Sequence, residues 1–571
     1  MIKRIIRQAL AVGFTALCVA EPAAEAQYQQ AWVAQYNGPE ISGLSPSDYV
    51  TDLAVRDSYV YVTGYESLFG ADWATVKYDY EGQELWVRRY EDGNGHAEAI
   101  AVDAAGNVYV TGYSSENNVI DVVTLKYNPG GVLLWERRYN SPGGNNQPND
   151  MALDVSGDIY IAGASWVTAQ QDFDMLLLKY DSDGNLLCDR TPDNGDGQLD
   201  TAYKMAIDLQ GNAILAGFTE PNAYLVKYSP TGDLLWDREK VGFSTNDEWR
   251  HVETDTVGNI YVFGEISPPG ESNHLWTTKY DPAGAILWEQ TYTGTHSHAC
   301  YAGDLALMPD GGVVITGLSW DLPSDNNIVT IRYAPDGTKL WQRLENAGYV
   351  AASGQDVAVD AEGRIYVTGY GYDYSYWEDI ITLGYSPDGD LLWSQIYANA
   401  QPDGSDYPQA IAVDEEANVF VAAHSWTSAT SNDFTTIMYT PESLGAHTST
   451  FSAGAGGTVN FTLDAGSANA NRSYLLVGSL SGTDPGTLLP GGLATIPLNR
   501  DWFTDYILDR LNTTTFTDFW GTLDGDGAAE AVLNAPPLPS IWAGRTMYFA
   551  YALNDPWDFV SNNAVAIEIV D

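Results

Sequence analysis

Histidine and cysteine side chains come together at one point of the sequence, in the segment THSHAC. His296 and His298 are two residues apart, and Cys300 continues the same spacing. Side chains of an extended strand alternate between its two faces, so all three would point the same way. Imidazole nitrogens and thiolates are ligands of zinc and copper. The spacing therefore predicts a candidate metal site, for which the sequence offers no fourth ligand.

A second group of candidate residues occupies equivalent positions in a series of similar segments. We call this group the polar ring, and its members in chain order are Asp52, Ala99, Asp150, Lys204, His251, Asp304, Asp356 and Ala410. Four carboxylates, one lysine and one histidine at the mouth of a channel could bind a cation or a polar ligand. The simpler hypothesis is that each side chain caps the backbone of its own turn.

We predict ligand binding at the six polar-ring residues with charged or titratable side chains. These are Asp52, Asp150, Lys204, His251, Asp304 and Asp356. No cofactor is predicted, and calcium is the metal that a ring of carboxylates would suit. No catalytic residue is predicted either, because the sequence holds no nucleophile elbow, Walker loop, H-E-x-x-H motif or dinucleotide fingerprint.

An internal repeat sets the elements that must position these residues. The segment AIAVDAAGNVYVTGY at 99–113 returns as DVAVDAEGRIYVTGY at 356–370, and each is followed by a second half that ends in a tryptophan-containing strand. Six weaker copies lie at 52–65, 150–164, 204–218, 251–265, 304–318 and 410–424. Marker residues, a tryptophan in every unit except the third, where Cys188 takes its place, recur at steps of 48 to 54 residues.

Each repeat reads as four short strands joined by tight hairpins. Its apolar residues alternate or run continuously, as in strands that are covered on both faces. Glycines in the hairpins are predicted to supply the positive φ that such turns need. These glycines are Gly106, Gly130, Gly184, Gly232, Gly284, Gly337 and Gly389. A four-stranded meander repeated eight times predicts an all-β chain with an eight-bladed β-propeller.

The repeat resembles the bacterial beta-propeller repeat (SBBP-type) family, whose units carry a D-x-x-G-N-x-Y-V-T-G core. VDAAGNVYVTG at 102–112 and VDAEGRIYVTG at 359–369 carry the resemblance, which extends over roughly residues 30–440. It implies a propeller and export from the cell, and no particular activity. The SPDGDLLW pattern is also similar to the tryptophan-docking repeats of eight-bladed quinone-dependent dehydrogenases, but the adjacent cysteines of those enzymes are missing.

The first strand of the chain completes the last repeat in this prediction. No tryptophan-containing strand follows SNDFTTIMYTPESLG at 431–445, whereas QAWVAQY at 30–36 has no partner strand before it. Trp32 and Tyr36 stand at the tryptophan and tyrosine positions of a fourth strand. We expect this N-terminal strand to close the propeller by pairing within the eighth blade, which removes an open edge.

Three segments follow from these patterns: a signal peptide at 1–26, the propeller at 27–445 and a C-terminal β-sandwich domain at 446–571. The basic start, short apolar run and AEA at 24–26 are typical of a secretory signal. Cleavage near Ala26 would place the protein outside the cell or in the periplasm. Runs such as GGTVNFTLDAG and TMYFAYAL, broken by Gly/Pro turns, favour the sandwich.

Charge excludes several partners. The formal net charge is −50, and loss of the signal peptide, with three basic and two acidic residues, leaves −51. Such a polyanion repels nucleic acid and anionic membrane surfaces. No later apolar stretch is long enough to cross a bilayer.

The leading functional hypothesis is an exported, non-enzymatic binding or scaffold protein. Its ligand, a protein or a glycan at the cell surface or in the extracellular matrix, would bind the face that carries the long loops. The alternative is an enzyme at the channel mouth, either a quinone- or calcium-dependent oxidoreductase or a glycan lyase or hydrolase. Asp304 and Asp356 would then serve as acid and base. Convergence of Lys204, His251, Asp304 and Asp356 around one cavity would favour the enzyme.

Overall fold

The computed structural model divides the chain into two compact units, Tyr28–Pro441 and a unit containing Glu442–Asp571. It describes residues 28–571 except 41–44, 69, 92–93, 117–118, 142, 168–171, 193–198, 241–246, 295–298, 322–324, 373–376, 400–403, 467–468, 484–485, 491–493, 526, 555–556 and 558. The predicted signal peptide at 1–26 lies outside the described residues. The division falls at 441/442, against the predicted 445/446.

Eight four-stranded antiparallel sheets make up the described part of the first unit. The first strand, β1 (Tyr28–Tyr36), belongs to sheet 8. Sheets 1 to 4 each take four consecutive strands. They are β2 (Ser47–Arg56), β3 (Tyr59–Ser67), β4 (Ala71–Asp79) and β5 (Glu84–Tyr90); β6 (Ala97–Val102), β7 (Val108–Glu116), β8 (Val119–Tyr127) and β9 (Leu133–Tyr139); β10 (Asn146–Leu153), β11 (Ile159–Val167), β12 (Asp172–Tyr180) and β13 (Leu186–Arg190); and β14 (Asp200–Ile207), β15 (Ala213–Thr219), β16 (Asn222–Tyr228) and β17 (Leu234–Lys240).

Sheets 5 to 7 follow the same pattern, and sheet 8 combines the two ends of the unit. They are β18 (Glu248–Thr254), β19 (Ile260–Ile266), β20 (His274–Tyr280) and β21 (Ile286–Tyr292); β22 (Cys300–Leu307), β23 (Val313–Asp321), β24 (Asp325–Tyr333) and β25 (Lys339–Glu345); β26 (Ala351–Val359), β27 (Ile365–Tyr372), β28 (Glu378–Tyr385) and β29 (Leu391–Tyr397); and, in sheet 8, β30 (Asp406–Val413), β31 (Val419–Thr427) and β32 (Ser431–Pro441) with β1.

The apolar core lies between neighbouring sheets. The second and third strands of each sheet are buried along most of their length, because neighbouring sheets cover both of their faces. Eight clusters of buried side chains each join two consecutive sheets. One of them joins sheet 8 to sheet 1, where Phe420 and Phe434 pack with Val60 and Val62.

In most sheets the repeated tryptophan is hydrogen-bonded to the hairpin of the next sheet. The indole Nε1 of Trp86 donates to the carbonyl of Pro129 over 3.2 Å, and the ammonium of Lys77 donates to the same carbonyl over 3.3 Å. Arg88 reaches the carbonyl of Gly131 in the same turn. Equivalent indole bonds join Trp135 to Ser182, Trp236 to Pro282, Trp288 to Pro335 and Trp341 to Pro387. The tryptophans are therefore packing residues of the sheet interfaces.

Six of the seven hairpin glycines have the predicted positive φ, and one prediction is wrong. The left-handed residue in the hairpin after β8 is Gly131, with φ +76°, and Gly130 is not left-handed. The reason is the doubled glycine: the turn closes with the amide of Gly131 donating to the carbonyl of Asn128, so the fourth residue of the turn takes the positive φ.

Strand β1 lies antiparallel to β32, from Tyr28 beside Pro441 to Tyr36 beside Phe434. It also provides the contact that a hairpin provides elsewhere. Sheet 8 has no hairpin between its third and fourth strands, and Trp393 of sheet 7 stacks instead on Tyr28, with ring centroids 4.5 Å apart. Gln395 donates to the carbonyl of Tyr28 over 3.0 Å.

The second unit is also built mainly of strands. A four-stranded sheet has the order β33 (Leu444–Ala446), β35 (Gly457–Asp464), β41 (Ala528–Ala535) and β39 (Phe516–Thr517). A larger sheet has the order β34 (Thr450–Ser452), β44 (Val565–Val570), β42 (Arg545–Asn554), β36 (Ser473–Ser479) and β40 (Trp520–Thr522), with β43 (Phe559–Val560) on β42; β37 (Thr487–Leu488) pairs with β38 (Thr495–Ile496). One core contains Phe461 of the first sheet and Phe549 of the second.

A single α-helix, α1 (Trp502–Leu508), stands in the part of this unit that the structure describes. It begins at Asp501, whose carboxylate accepts from the amides of Phe503 and Thr504 in a capping box. Across the described residues, no helix has both the length and the apolar character needed to span a membrane.

Candidate functional site

The polar ring lies in the middle of the innermost strands, not at their entrance. Asp52 is the sixth of ten residues in β2, and His251 is the fourth of seven in β18. Each innermost strand begins two to five residues before its ring residue, and ligand binding by the ring at a channel mouth stays a prediction. A β-bulge interrupts every innermost strand at this level.

Three ring carboxylates each hold the backbone of the next sheet. Asp52 accepts from the amide of Ile100 over 2.8 Å, Asp150 from Met205 over 2.7 Å, and Asp356 from Ile411 over 2.7 Å. The second oxygens of Asp52 and Asp356 accept from the amides of the residues that follow them, at 2.8 Å each. These carboxylates therefore do more than cap their own strands: they connect neighbouring sheets.

Three ring residues of sheets 5, 6 and 7 form a hydrogen-bonded chain. The Nδ1 atom of His251 lies 2.5 Å from a carboxylate oxygen of Asp304, and Asp304 is hydrogen-bonded to Asp356. Burial lowers the pKa of His251 to about 3, with Lys204 adding to the effect, so the imidazole is neutral. Burial and the negative charge of Asp304 raise the pKa of Asp356 well above its usual range. Burial also raises the pKa of Asp304, so both shifts favour a proton between the two carboxyl groups.

The remaining charged groups surround Lys204. Its ammonium lies 3.4 Å from Asp150, which is the main reason that its pKa is raised, and Asp52, Asp304 and Asp356 add to the effect. These carboxylates belong to sheets 1, 3, 6 and 7, so the innermost strands face one another. Burial raises the pKa of Asp52 to about 6. Five of the six sequence-predicted residues thus form two groups, Lys204 with Asp150 and His251 with Asp304 and Asp356, and the charge of Asp52 also acts on Lys204.

The predicted metal site falls largely outside the described residues. His296 and His298 are among the residues that the structure does not describe. Cys300 opens β22, is fully buried, and its thiol lies 3.8 Å from the hydroxyl of Ser319. Within the described ranges, no three His, Cys, Asp or Glu side chains are grouped to hold a metal ion. Zinc or copper binding at His296, His298 and Cys300 stays a prediction.

A continuous row of aromatic side chains was not predicted. We call it the aromatic belt; its residues, in spatial order, are Tyr370, Tyr407, His424, Tyr49, Tyr65, His96 and Tyr113. Successive ring centroids are 4.4, 5.8, 5.2, 5.0, 3.6 and 5.1 Å apart. The belt crosses sheets 7, 8, 1 and 2, and all seven side chains are half-buried.

The belt lies at the end of the innermost strands where the chain enters them. Tyr49 is the third residue of β2 and faces Tyr65, near the end of β3. The tight hairpin between these strands, at Asp57 and Ser58, is at the opposite end. The belt is therefore on the side that carries the connections between second and third strands, where sequence reasoning placed the binding face.

The belt is uncharged near neutral pH. Burial lowers the pKa of His96 and lowers that of His424 to about 4, so both imidazoles are neutral. Burial raises the pKa of Tyr65 to about 12 and also raises that of Tyr113. Glu98, whose carboxylate lies 4.0 Å from His96, has a pKa raised to about 8 by burial.

Several polar groups of the belt are unused. The side-chain hydroxyls of Tyr49, Tyr65 and Tyr113 form no hydrogen bond with any other residue that the structure describes. These side chains are half-buried, and their hydroxyls are not among the fully buried polar atoms without a partner, so each keeps some contact with solvent. The belt can thus donate and accept hydrogen bonds without breaking contacts that hold the fold.

The belt does have a sequence signal, but a search for residues that all repeats share does not detect it. Aligned strand ends hold ring pairs in sheets 8, 1 and 2: Tyr407 with His424, Tyr49 with Tyr65, and His96 with Tyr113. In the other sheets the same pairs are Gln147 with Ala164, Thr201 with Phe218, Glu248 with Glu265, Tyr301 with Leu318 and Ser353 with Tyr370. Aromatic residues concentrated in neighbouring repeats at one aligned position would have revealed it.

The second unit contains an acidic cavity of about 660 Å³. Its acidic lining residues are Glu442, Asp464, Asp518, Asp524 and Glu530. The hydroxyl of Tyr474, also in the lining, donates to backbone carbonyls of Asp518 and Glu530 over 2.8 and 3.3 Å. Burial raises the pKa of Glu442. No sequence prediction addressed this cavity.

Comparison with known proteins identifies the repeat. A family model described as "Beta-propeller repeat" (SBBP) matches residues 85–118. No curated protein matches the chain. Among solved structures, Sqt1 from Chaetomium thermophilum is 11% identical and aligns with 72% of this chain and 98% of its own, with a TM-score of 0.46. The beta-propeller domain of the Trilobed protease from Pyrococcus furiosus is 10% identical over 60% of this chain and 93% of its own, with a TM-score of 0.36. The chain thus contains a β-propeller repeat within an all-β array of four-stranded sheets.

Proposed function

We propose that the protein is an exported, non-enzymatic binding protein whose ligand surface is the aromatic belt. In this proposal the eight sheets form a closed eight-bladed propeller with β1 as its closing strand, and the second unit is a β-sandwich that attaches or spaces it. The pairing of β1 with β32 and the shared core of sheets 8 and 1 support the closure. The basic and apolar start of the sequence supports export.

The observation that carries the proposal is a contrast between two sets of polar groups: the ring carboxylates are hydrogen-bonded within the fold, whereas hydroxyls of the belt are not. The carboxylates of Asp52, Asp150 and Asp356 accept from the backbone of the next sheet. The hydroxyls of Tyr49, Tyr65 and Tyr113 form no hydrogen bond with another residue that the structure describes. Tyrosine is enriched at binding surfaces because it combines a large contact area with a polar tip and loses little side-chain entropy.

An enzyme acting near the polar ring is the second candidate. The chain from His251 through Asp304 to Asp356 favours it, because burial and the charge of Asp304 raise the pKa of Asp356, and a carboxyl group with a raised pKa can hold a proton and donate it as a general acid. Asp356 would donate this proton, and Asp304 would hold it in place. The candidate requires a substrate to reach the ring, where the same carboxyl group accepts from the amides of Val357 and Ile411.

A panel of purified polymers separates the two candidates. Neutral, acidic and basic polysaccharides and a denatured collagen are incubated with the protein, and both retention and released products are measured. We expect retention of at least one polymer, weakened by Tyr65→Ala and unaffected by Tyr301→Ala, without product release. Absence of belt-dependent retention would contradict the proposal, as would product release that Asp304→Asn abolishes.

A further inference from the structure

We propose that the ligand of the aromatic belt is a neutral polysaccharide chain. This inference rests on the proposed binding function and names the class of ligand. Three properties of the belt support it: its lack of charge, the unbonded hydroxyl groups of Tyr49, Tyr65 and Tyr113, and its extent over four sheets.

The lack of charge on the belt and the negative charge of the chain argue against charged polymers as ligands. Burial lowers the pKa of both imidazoles of the belt and raises the pKa of Tyr65, Tyr113 and Tyr407, and the belt contains no lysine or arginine, so it offers no ion pair to a sulfate, phosphate or carboxylate. The chain around it has a formal net charge of −50, which repels acidic polysaccharides and nucleic acids. A neutral polymer avoids this repulsion and needs no cationic partner.

The hydroxyls of the belt match a polyhydroxylated ligand. A phenol hydroxyl both donates and accepts, as does each hydroxyl of a sugar. The side chain of Tyr65 lies between the rings of Tyr49, at 5.0 Å, and His96, at 3.6 Å, so its faces are covered. Such stacked rings present edges and hydroxyls to solvent. The end rings, Tyr113 and Tyr370, each have one aromatic neighbour in the belt, and we expect the apolar side of a sugar ring to pack against them.

The extent of the belt favours a polymer over a single small molecule. Seven rings follow one another across four sheets in one row, and each contacts the next. The stacking fixes the side chains before a ligand arrives, so binding costs little additional side-chain entropy. An extended chain of sugar residues could contact several of these rings at once, whereas a monosaccharide would use only one or two.

A protein partner is the competing occupant, because tyrosine is also enriched in protein interfaces. The uncharged belt favours the glycan: a protein docking beside a polyanion of this size would be expected to present basic residues. Glu98 is the carboxylate beside His96 of the belt. Burial raises its pKa to about 8, so it is mostly protonated at pH 7 and is a weak partner for a cation. The two occupants predict different salt dependence, since only binding of a basic protein should weaken steeply with salt.

The test measures affinity for defined oligosaccharides by isothermal titration calorimetry. The neutral probes are cellohexaose, xylohexaose, maltohexaose and N-acetylchitohexaose; a hexagalacturonate, a glucosamine hexamer and a soluble denatured collagen provide the charged and protein arms. We expect binding of at least one neutral hexasaccharide, with an affinity that changes less than about twofold between 50 and 500 mM salt. The matching monosaccharide should bind at least tenfold more weakly.

Variants connect this binding to the belt. Tyr65→Ala should weaken binding at least tenfold, and the triple variant Tyr49→Phe, Tyr65→Phe, Tyr113→Phe, which keeps the rings and removes the hydroxyls, by about five- to tenfold or more. The matched control is Tyr301→Ala, at the equivalent position of sheet 6, where the tyrosine is half-exposed and outside the belt. It should change the affinity less than twofold, and melting curves should show all variants folded.

Three results would overturn the inference. One is the absence of binding to every neutral hexasaccharide. Another is binding that the triple phenylalanine variant leaves unchanged. The third is belt-dependent binding confined to the collagen or to a charged polymer, in which case the proposed binding function stands and the assignment to a neutral glycan fails.

Discussion

The polar ring and the aromatic belt lie close together in the chain, since Tyr49, His96 and Tyr407 each stand three residues before a ring position, yet their side chains are used differently. Ring carboxylates accept hydrogen bonds from the next sheet, as Asp356 does from Ile411. Belt tyrosines contact one another and leave hydroxyls open, as at Tyr49 and Tyr65. The comparison teaches that polar residues directed toward the middle of such a repeat array can be structural, whereas unused groups on a row of unrepeated residues indicate a binding surface.

Loss of a ring carboxylate should have the largest effect on stability. Asp356→Ala would leave the amides of Val357 and Ile411 and the carboxyl group of Asp304 without their partner. We expect a loss of about 2–4 kcal/mol in the free energy of unfolding, because buried groups without partners are costly. Urea denaturation measures it. Glu362→Ala, whose carboxylate is 64% exposed, is the control and should change stability by about 0.5 kcal/mol or less. Equal losses for both variants would remove the structural role of the ring.

Gly384 departs from the residue type of the repeat because Trp393 packs against it, and it gives a second test of the structural residues. Six other sheets have Lys or Arg at this position, such as Lys77 and Arg332, whose side chains bond to the next hairpin, and sheet 8 has Met438. A Cβ at Gly384 would lie 2.1 Å from the indole nitrogen of Trp393. Gly384→Ala should therefore displace that ring from Tyr28 and cost about 1–3 kcal/mol.

Tryptophan fluorescence during urea denaturation follows this loss. Gly130→Ala is the matched control, since the nearest atom to its Cβ would be the side-chain oxygen of Asn128 at 3.4 Å, an ordinary contact. An unfolding midpoint for Gly384→Ala equal to that of the control would show that the glycine has no packing role.

Glu98 links the belt to pH. Its pKa rises from 4.5 to about 8 on folding because it is buried. Between these values the folded protein keeps a proton that the unfolded chain has lost, so the contribution of this group to stability falls as pH rises. Glu98→Gln should match wild type near pH 4 and be more stable by about 1–2 kcal/mol at pH 8, allowing for partial solvent access.

Thermal melting across pH 4–8 tests this difference, with the exposed Glu415 replaced by glutamine as the control. A Glu98→Gln difference that stays constant with pH, or one that is largest at pH 4, would disprove the burial of this carboxyl group in the folded protein.

Belt substitutions should have the smallest effect on stability. Tyr49→Phe removes a hydroxyl that has no partner among the described residues, and the ring contacts with Tyr65 and His424 remain. The free energy of unfolding should change by about 0.5 kcal/mol or less. A loss comparable to that of Asp356→Ala would place the belt among the structural residues and end the contrast with the ring.

Much of the fold could be predicted from the sequence because each residue type that recurs in the repeat has one physical role. Tryptophan, hairpin glycine and alternating apolar residues recur in every unit or nearly so, and they specified the four-stranded sheets. QAWVAQY was readable for the same reason: Trp32 and Tyr36 stand in repeat positions, and β1 pairs with β32. Gly130 was misread because two adjacent glycines could each have supplied the positive φ.

The site was harder to predict, since a repeat shows what its units share. The polar ring was found because aspartate recurs in it. Its hydrogen bonds to Ile100 and Ile411 join neighbouring repeats, so the sequence of a single repeat does not reveal them. The belt depends on rings from four sheets meeting in space, and only three-dimensional register places Tyr65 beside His96.

One paired measurement tests the central claim most directly: the affinity for a neutral hexasaccharide and the free energy of unfolding, determined together for Tyr65→Ala and for Asp356→Ala. The account predicts that Tyr65→Ala weakens binding at least tenfold and changes stability much less than Asp356→Ala does. It predicts that Asp356→Ala, studied below its unfolding transition, loses about 2–4 kcal/mol of stability and keeps its affinity within about twofold. Retained affinity in Tyr65→Ala, or lost affinity in folded Asp356→Ala, would contradict it.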